Sequence, residues 1–360
     1  MPVFDNFVLK PLPPNYDLET KAVLKQAVRA GRALAELKGV SKTIPNQAIL
    51  INTLPLLEAK NSSEVENIIT TQDDIYKEEL FRNEARNAAA KEVSAYGMAL
   101  RHGYDTVIKT GLLTNNQLLD IQAMIEKNRA GFRRLPGTDL KDSYGNTVYT
   151  PPQNHQDILA LVANLEKVIN EPSFLEIDPL IKMAIIHYQF ESIHPFYDGN
   201  GRTGRILNIL YLVKEGLLDL PVLYLSRYII RTKGDYYRCL QNVRVSAAWE
   251  EWLLYVLKGV EETAVFTTKL ISDMRSLMQD YKLRIRSELN NIYSQDLLNS
   301  LFRHPYTTID NLSREINKSR QTASKYLDML VTGGFLKKDR FGKQNIYINE
   351  ALYQLFLGAE

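Results

Sequence analysis

The sequence predicts a mainly α-helical protein with a small β-hairpin flap and a C-terminal winged-helix unit. Apolar residues recur at helical spacing through most of the chain. Gly, Pro and Asn break that rhythm at 131–153, and the region after about residue 300 reads helix, turn, helix and two short strands. With 360 residues, 45% hydrophobic and 24% charged, the chain is long enough for a sizeable core and two or three packed units.

Taken in order, the opening with "PLPP" at 11–14 is extended. Helices are expected at about 17–38 and around 81–102, where "NEARNAAAKEVSAYGMALRHG" is rich in good helix formers. The flap follows in "GFRRLPGTDLKDSYGNTVYTPPQ", closed by Pro151 and Pro152. From 154 to about 190, Ile158, Leu161, Leu165 and Val168 form one apolar stripe and Ile181, Ala184, Ile185 and Tyr188 another, predicting two helices each buried on one side. "RTGRILNILYLVKEG" predicts a central helix with Gly216 as its C-terminal cap, and more helix runs to about 290.

Composition narrows the function. No run approaches the ~18 apolar residues that span a bilayer, and the start lacks the apolar core of a signal peptide, so no membrane partner and a cytoplasmic location are expected. The lone Cys239 excludes an intramolecular disulfide and a multi-cysteine metal site, and reads as a small buried residue. A net charge of +2 predicts no strong field for nucleic acid or membrane over the whole chain. Residues 301–350 carry nine Lys/Arg against five Asp/Glu.

The chemistry concentrates in "HPFYDGNGRTGR", residues 194–205. Its glycines let the backbone turn tightly before a helix N-terminus, leaving N–H groups for an anion. Asp198 is a hard oxygen ligand suited to Mg²⁺. His194 titrates near neutrality by type and can take a proton from a hydroxyl. Arg202 and Arg205, on the opening helical turn, can neutralise a polyphosphate, and Asn200 can donate to a phosphoryl oxygen. The set describes phosphoryl or nucleotidyl transfer, with the attacked phosphorus left open.

This stretch resembles the signature of the Fic family, H-P-F-x-[DE]-G-N-G-R-x-x-R, at all nine fixed positions. The likeness extends over "YTPP", the flanking helices and "YLSRYIIRTKGDYYRCLQNVR". It implies a Fic-type helical core that transfers AMP from ATP to a Tyr, Ser or Thr hydroxyl of a protein, with Mg²⁺. His194 would be the general base and Asp198 the metal ligand. Asn200 with the amides of Gly199 and Gly201 would stabilise the α-phosphate, and Arg202 and Arg205 would contact the tail phosphates. Phe196 would anchor the loop, and the flap, about Arg133 to Tyr149, would align the target by main-chain pairing. Tyr236 and Tyr237 are candidates for the adenine pocket wall, a core aromatic being the alternative. The implied organisation is an N-terminal Fic-associated region at 1–110, a catalytic core at 111–290 and a winged helix at 291–360. Self-modification and a homodimer are common in such proteins.

"SSEVEN", residues 62–67, fits the family's inhibitory pattern [ST]-x-x-x-E-[GN] through Ser62, Glu66 and Asn67. Docked on the core, Glu66 would pair with Arg205 where the γ-phosphate belongs, giving autoinhibition; it could also orient water for AMP removal. The competing reading is a capping box, Ser63-x-x-Glu66 at a helix start. Rival functions are transfer of UMP, phosphocholine or phosphate, and a nucleotide-sensing transcriptional regulator. For the winged helix, DNA binding through the helix near Ser319 to Leu330 and a basic wing stands beside protein contact, because Asp328 and Asp339 interrupt the basic surface. His187 reads as a packing residue, and His102, His155 and His304 as surface or capping groups.

Overall fold

The computed structural model describes residues 7–81, 87–142 and 144–358. The N-terminal region holds α1 (Lys21–Ser41), α2 (Ala48–Val65), α3 (Gln72–Leu80) and α4 (Ala88–Thr110). The start of the expected helix at 81–102 lies partly outside the described residues. The middle of the chain adds α5 (Asn115–Glu126), the flap strands β1 (Leu140–Lys141) and β2 (Thr147–Tyr149), then α6 (His155–Asn170), α7 (Pro179–Ile193), α8 (Asn200–Lys214), α9 (Leu225–Arg231), α10 (Lys233–Ser246) and α11 (Trp249–Glu288). The last part comprises α12 (Gln295–Arg303), β3 (Tyr306–Thr307), α13 (Ile309–Glu315), α14 (Arg320–Thr332), β4 (Lys337–Phe341), β5 (Gln344–Ile348) and α15 (Glu350–Leu357).

α7 is the centre of the core. The sequence stripe predicted one buried side, yet every residue from Leu180 to Ile193 is buried, because α1, α6, α8 and α11 pack around it. A helix enclosed in this way has no solvent face to keep polar. Its polar residues are therefore locked in place: His187 Nε2 meets the Tyr236 hydroxyl at 2.9 Å, and Gln189 donates to the Lys10 carbonyl at 2.9 Å. α6 keeps the one-sided burial its stripe predicts. α8 ends as expected, with Gly216 in the left-handed region at φ 67° just beyond the cap.

α2 is an unusual helix. Pro55 lies inside it, and Asn52, Thr53 and Asn61 bond back to the carbonyls of Ala48, Ile49 and Leu57. It ends in a Schellman motif. Ile68 N–H reaches the Ser63 carbonyl at 3.0 Å and Asn67 N–H the Glu64 carbonyl at 2.9 Å, with Asn67 left-handed at φ 62°. α2 is wedged among α4, α8, α9 and α12.

In the C-terminal unit the antiparallel sheet has the order β3-β5-β4 behind α12, α13 and α14, the topology of a winged helix. α11 reaches it from the core: the Tyr281 hydroxyl donates to the Phe335 carbonyl at 3.0 Å and contacts Asn349 Oδ1 at 2.9 Å. The unit also leans on α3, through a Tyr306–Asp73 hydrogen bond of 2.6 Å and the stacked rings of Phe81 and Phe341. His304, read as a surface or capping group, is the C-cap residue of α12 and packs edge-on to Tyr76 with ring centroids 4.7 Å apart, because α3 covers this side of the unit.

Candidate active site

The signature loop is a backbone reversal between two buried helices. α7 stops at His194, which is left-handed (φ 48°) with its N–H on the Phe190 carbonyl at 3.0 Å. Gly199 makes the second left-handed step at φ 78°, where a side chain would be strained. Phe196 is fully buried against Phe132 and Phe190, so it anchors the loop. Asn200 closes the turn: its Oδ1 accepts the Phe196 N–H at 2.8 Å and its Nδ2 donates to the Phe196 carbonyl at 2.9 Å. The sequence reading gave this carboxamide to a phosphoryl oxygen; here it holds the loop in shape, with one amide proton left over. Gly199 N–H, read as a phosphate donor, binds Asp198 Oδ1 at 2.7 Å.

Two residues that the sequence reading did not single out tie the loop to the flap base. Arg133 is fully buried; its Nε donates to the His194 carbonyl at 2.7 Å and its Nη2 to the Pro152 carbonyl at 2.9 Å. The Tyr197 hydroxyl accepts the Arg134 and Leu135 amides at 3.0 and 3.2 Å. Neither role has a sequence signal, since the partners are backbone atoms 19 to 63 residues away.

The first-turn N–H groups of α8 have no intrahelical acceptor and present a partial positive charge. They open on a cavity of about 640 Å³ lined by His194, Asp198, Gly201 and Arg202. Glu66 stands across its mouth. Its Oε1 accepts from Arg205 Nη2 at 2.7 Å, while Ser62 takes Arg205 Nε on its hydroxyl at 2.7 Å and Nη2 on its carbonyl at 2.8 Å. A Cβ on Gly201 would collide with that carboxylate, so glycine here makes room for an anion on the helix end. Asn67 serves the same contact, through the left-handed turn that aims Glu66 and through its Oδ1, which accepts from Lys233 Nζ at 3.1 Å. The motif sits at the end of α2, so the capping-box reading of Ser63 and Glu66, which needs a helix start, is wrong.

Arg202 is also held by carboxylates, Glu126 at 2.6 Å and Glu92 at 3.2 Å, neither singled out from sequence. Burial pulls the His194 pKa down to about 4, with Arg133 adding to the effect, so the imidazole is neutral at pH 7. Burial works against the Glu66 charge too, but Arg205 outweighs it and leaves Glu66 below the usual carboxylate range. Burial opposes the Arg205 charge, and Glu66 more than restores it. Behind the loop, burial raises Glu191 to about 7.

Asp198 is exposed on this cavity. Among the described residues no group of three or more His, Cys, Asp or Glu is set to hold a metal. One carboxylate suits Mg²⁺, which takes its other ligands from water and substrate phosphates. The tentative adenine wall divides. Tyr236 is buried, bonded to His187 and packed on Trp252, which makes it a core aromatic. Tyr237 is half-exposed and close enough to Glu66 that the carboxylate, after burial, helps push its pKa up to about 12.

Comparison with known proteins agrees with this geometry. Residues 24–105 match the Fic/DOC family N-terminal description, 112–212 the Fic/DOC family, and 277–352 the C-terminal domain of SoFic-like protein adenylyltransferases. The chain thus carries a Fic N-terminal region, a Fic domain and a SoFic-like C-terminal domain. Its Fic region is 34% identical over 89 residues to protein adenylyltransferase fic-1 of Caenorhabditis elegans, 25% of this chain and 16% of that protein. It is 51% identical over 53 residues to a probable protein adenylyltransferase of Aquifex aeolicus, 15% of this chain and 17% of that one. The aligned stretches thus span about a sixth of these relatives' lengths. The crystal structure of a Fic family protein from Desulfovibrio desulfuricans superposes with a TM-score of 0.59 at 17% identity, covering 94% of this chain and 98% of that one, and shows the shared Fic fold. C. elegans Fic-1 gives 0.55 at 20% identity over 71% and 75% of the two chains.

Proposed function

We propose that this Fic protein is a protein adenylyltransferase held in an autoinhibited state, using ATP as donor. The observation that carries the reading is the Ser62–Glu66–Arg205 clamp on the N-terminus of α8, beside a neutral His194 and an exposed Asp198. The curated relatives, named protein adenylyltransferases, support AMP as the group transferred.

The chemistry follows from residue placement. Neutral His194 takes the proton of the target hydroxyl as its oxygen attacks the α-phosphorus; the bond to the β-phosphate oxygen breaks and pyrophosphate leaves. The α8 amides, Gly201 first, face the phosphoryl oxygens, and Arg205, freed of Glu66, faces the tail phosphates. Asp198 would hold Mg²⁺, which when bound spreads the phosphate charge. The flap would present the target segment by strand addition. With Glu66 in place a carboxylate occupies the anion site, so the tail cannot settle and the α-phosphate is misaligned. A clamp of a few kcal/mol suppresses turnover on the order of tens to thousands of fold.

For the C-terminal unit we favour protein packing over DNA binding. Three basic residues of its helix and wing are paired at its own surface, Arg320 to Asp310 at 2.5 Å, Lys338 to Asp328 at 2.9 Å and Lys337 to Glu350 at 3.0 Å, and the unit docks on α3. No described helix is long and apolar enough to cross a membrane; action on cytoplasmic proteins, including this chain itself, is part of the proposal.

The test incubates wild type, Glu66→Gly and Glu66→Gly/His194→Ala with Mg²⁺, a cell lysate and ATP labelled at the α- or γ-phosphorus. Protein-bound label from the α position alone, at least tenfold higher in Glu66→Gly and absent without His194, is the expected result. Label from the γ position would mean phosphate transfer, and none from either would mean another donor or a sensor. Equal transfer by wild type and Glu66→Gly would remove the inhibition.

A further inference from the structure

A second cavity, of about 270 Å³, lies between α2, α4 and α12, away from the signature loop. Its floor is apolar, with Leu56, Leu80 and Met98, and its rim carries Arg101, Arg303, His304 and Glu79. Arg303 is engaged by Glu315 at 3.2 Å, and Ser94 donates to Glu79. Arg101 differs. Its hydrogen bond among the described residues is to a neutral acceptor, the Ile51 carbonyl at 3.1 Å, and Glu79 is the carboxylate that shares the rim with it.

That carbonyl is orphaned for a covalent reason. Pro55 stands four residues after Ile51 inside α2 and has no N–H, so the helix cannot satisfy Ile51, and Arg101 does so from α4. Pro55 sits two turns, about 10 Å along the axis, before Ser62, and the carbonyl it orphans about three turns before. His304 supplies the independent pointer to a ligand. Its Nδ1 is engaged by Tyr306, while its Nε2 is buried with no hydrogen-bond partner among the described residues. In the neutral tautomer whose Nδ1 accepts the Tyr306 N–H, Nε2 carries a proton that needs an acceptor, and this is the form that would receive an anion.

We propose that this cavity is an effector site for a small anion, a carboxylate or phosphate on an apolar body, received by Arg101 and His304. Its capture of Arg101 loosens α2 at Pro55 and weakens the hold of Ser62 and Glu66 on Arg205. The regulatory half rests on the reading of Glu66 as an inhibitor; the binding half does not. A ligand shifts an equilibrium only by its differential affinity for the two states. Here the proposed difference is the position of Arg101, whose guanidinium the anion draws toward itself and off the Ile51 carbonyl.

Benzoate and phenyl phosphate, one apolar body with either head group, are the probes. Calorimetric titration of the full chain should show binding by at least one of them, weakened about tenfold or more in Arg101→Gln and in His304→Ala. Arg101→Gln keeps a donor for the Ile51 carbonyl, and His304→Ala tests the site without touching α2. In the labelled-ATP assay the bound probe should raise wild-type transfer severalfold, leave Glu66→Gly unchanged, and leave Arg101→Gln unresponsive. No binding, or binding insensitive to both substitutions, overturns the site. Binding that needs Arg101 but does not change wild-type transfer, while Glu66→Gly is active, overturns the regulation. Binding that needs Arg101 with no transfer by Glu66→Gly upholds the site and discards the adenylyltransferase reading instead.

Discussion

In the proposed mechanism His194 is set as a base before any substrate arrives. Burial and the nearby Arg133 guanidinium both disfavour its charged form, bringing its pKa to about 4. In Glu66→Gly, which also loses a carboxylate that raises this pKa, the acid limb of kcat/KM for AMP transfer should therefore fall at or below about pH 4, well under the ordinary imidazole value; a limb at 6.5 would mean a solvated ring. Glu58, on α2, has the opposite problem. Burial pushes it up to about 7 although Ser226, Arg205 and Tyr96 pull the other way. Between about pH 4.5 and 7 the folded state keeps a proton the unfolded chain releases, so this group makes stability fall as pH rises through that window. Glu58→Gln keeps an acceptor for the Ser226 N–H, and the Ser226 and Tyr96 hydroxyls can turn to accept from its amide. Its melting temperature should gain on wild type as pH goes from 5 to 8, and a constant difference would refute the buried titration. The signature made His194, Asp198 and Arg205 legible because they are adjacent in sequence and chemically demanding. Arg133, Glu92 and Glu126 were illegible because each reaches the site from a distant element, and no local pattern records a long-range contact.

At the scale of elements, the proposed inhibition depends on how α2 ends. The Schellman turn needs a left-handed residue at position 67, where Asn and Gly are at ease and a β-carbon without a polar group is strained. Asn67→Gly should preserve low activity, whereas Asn67→Ala should cost about 1 kcal/mol of stability and raise AMP transfer by mis-aiming Glu66. Equal transfer by the two variants would show that the Lys233 contact, lost in both, is what counts. The pattern [ST]-x-x-x-E-[GN] was readable, but its helix was not: Pro55 and three back-bonding polar residues hide α2 from a periodicity argument. The same argument placed α6 and α8 well and erred on α7, since a helix packed on all sides has no polar face to betray its phase.

Across the whole molecule, the first and last parts of the chain prop each other. Tyr306 bonds Asp73, and α12 packs on α2, so the C-terminal unit backs the helix that carries the proposed clamp. Tyr306→Phe should lower stability by about 1–2 kcal/mol and raise wild-type transfer severalfold while leaving Glu66→Gly unchanged; a variant with wild-type transfer would limit the seam to a structural role. The winged-helix order was visible in the sequence, but its docking was not, because the aromatic residues that make the seam are spread from Tyr76 to Tyr353. The seam also imposes an order in time. The ribosome delivers the clamp and the signature loop well before residue 306, so a nascent chain holds its catalytic loop under a helix whose support has not yet been made. Full restraint would be acquired only as translation nears its end, and label transfer by ribosome-stalled chains, higher before residue 306 emerges than after, is how that interval would be seen.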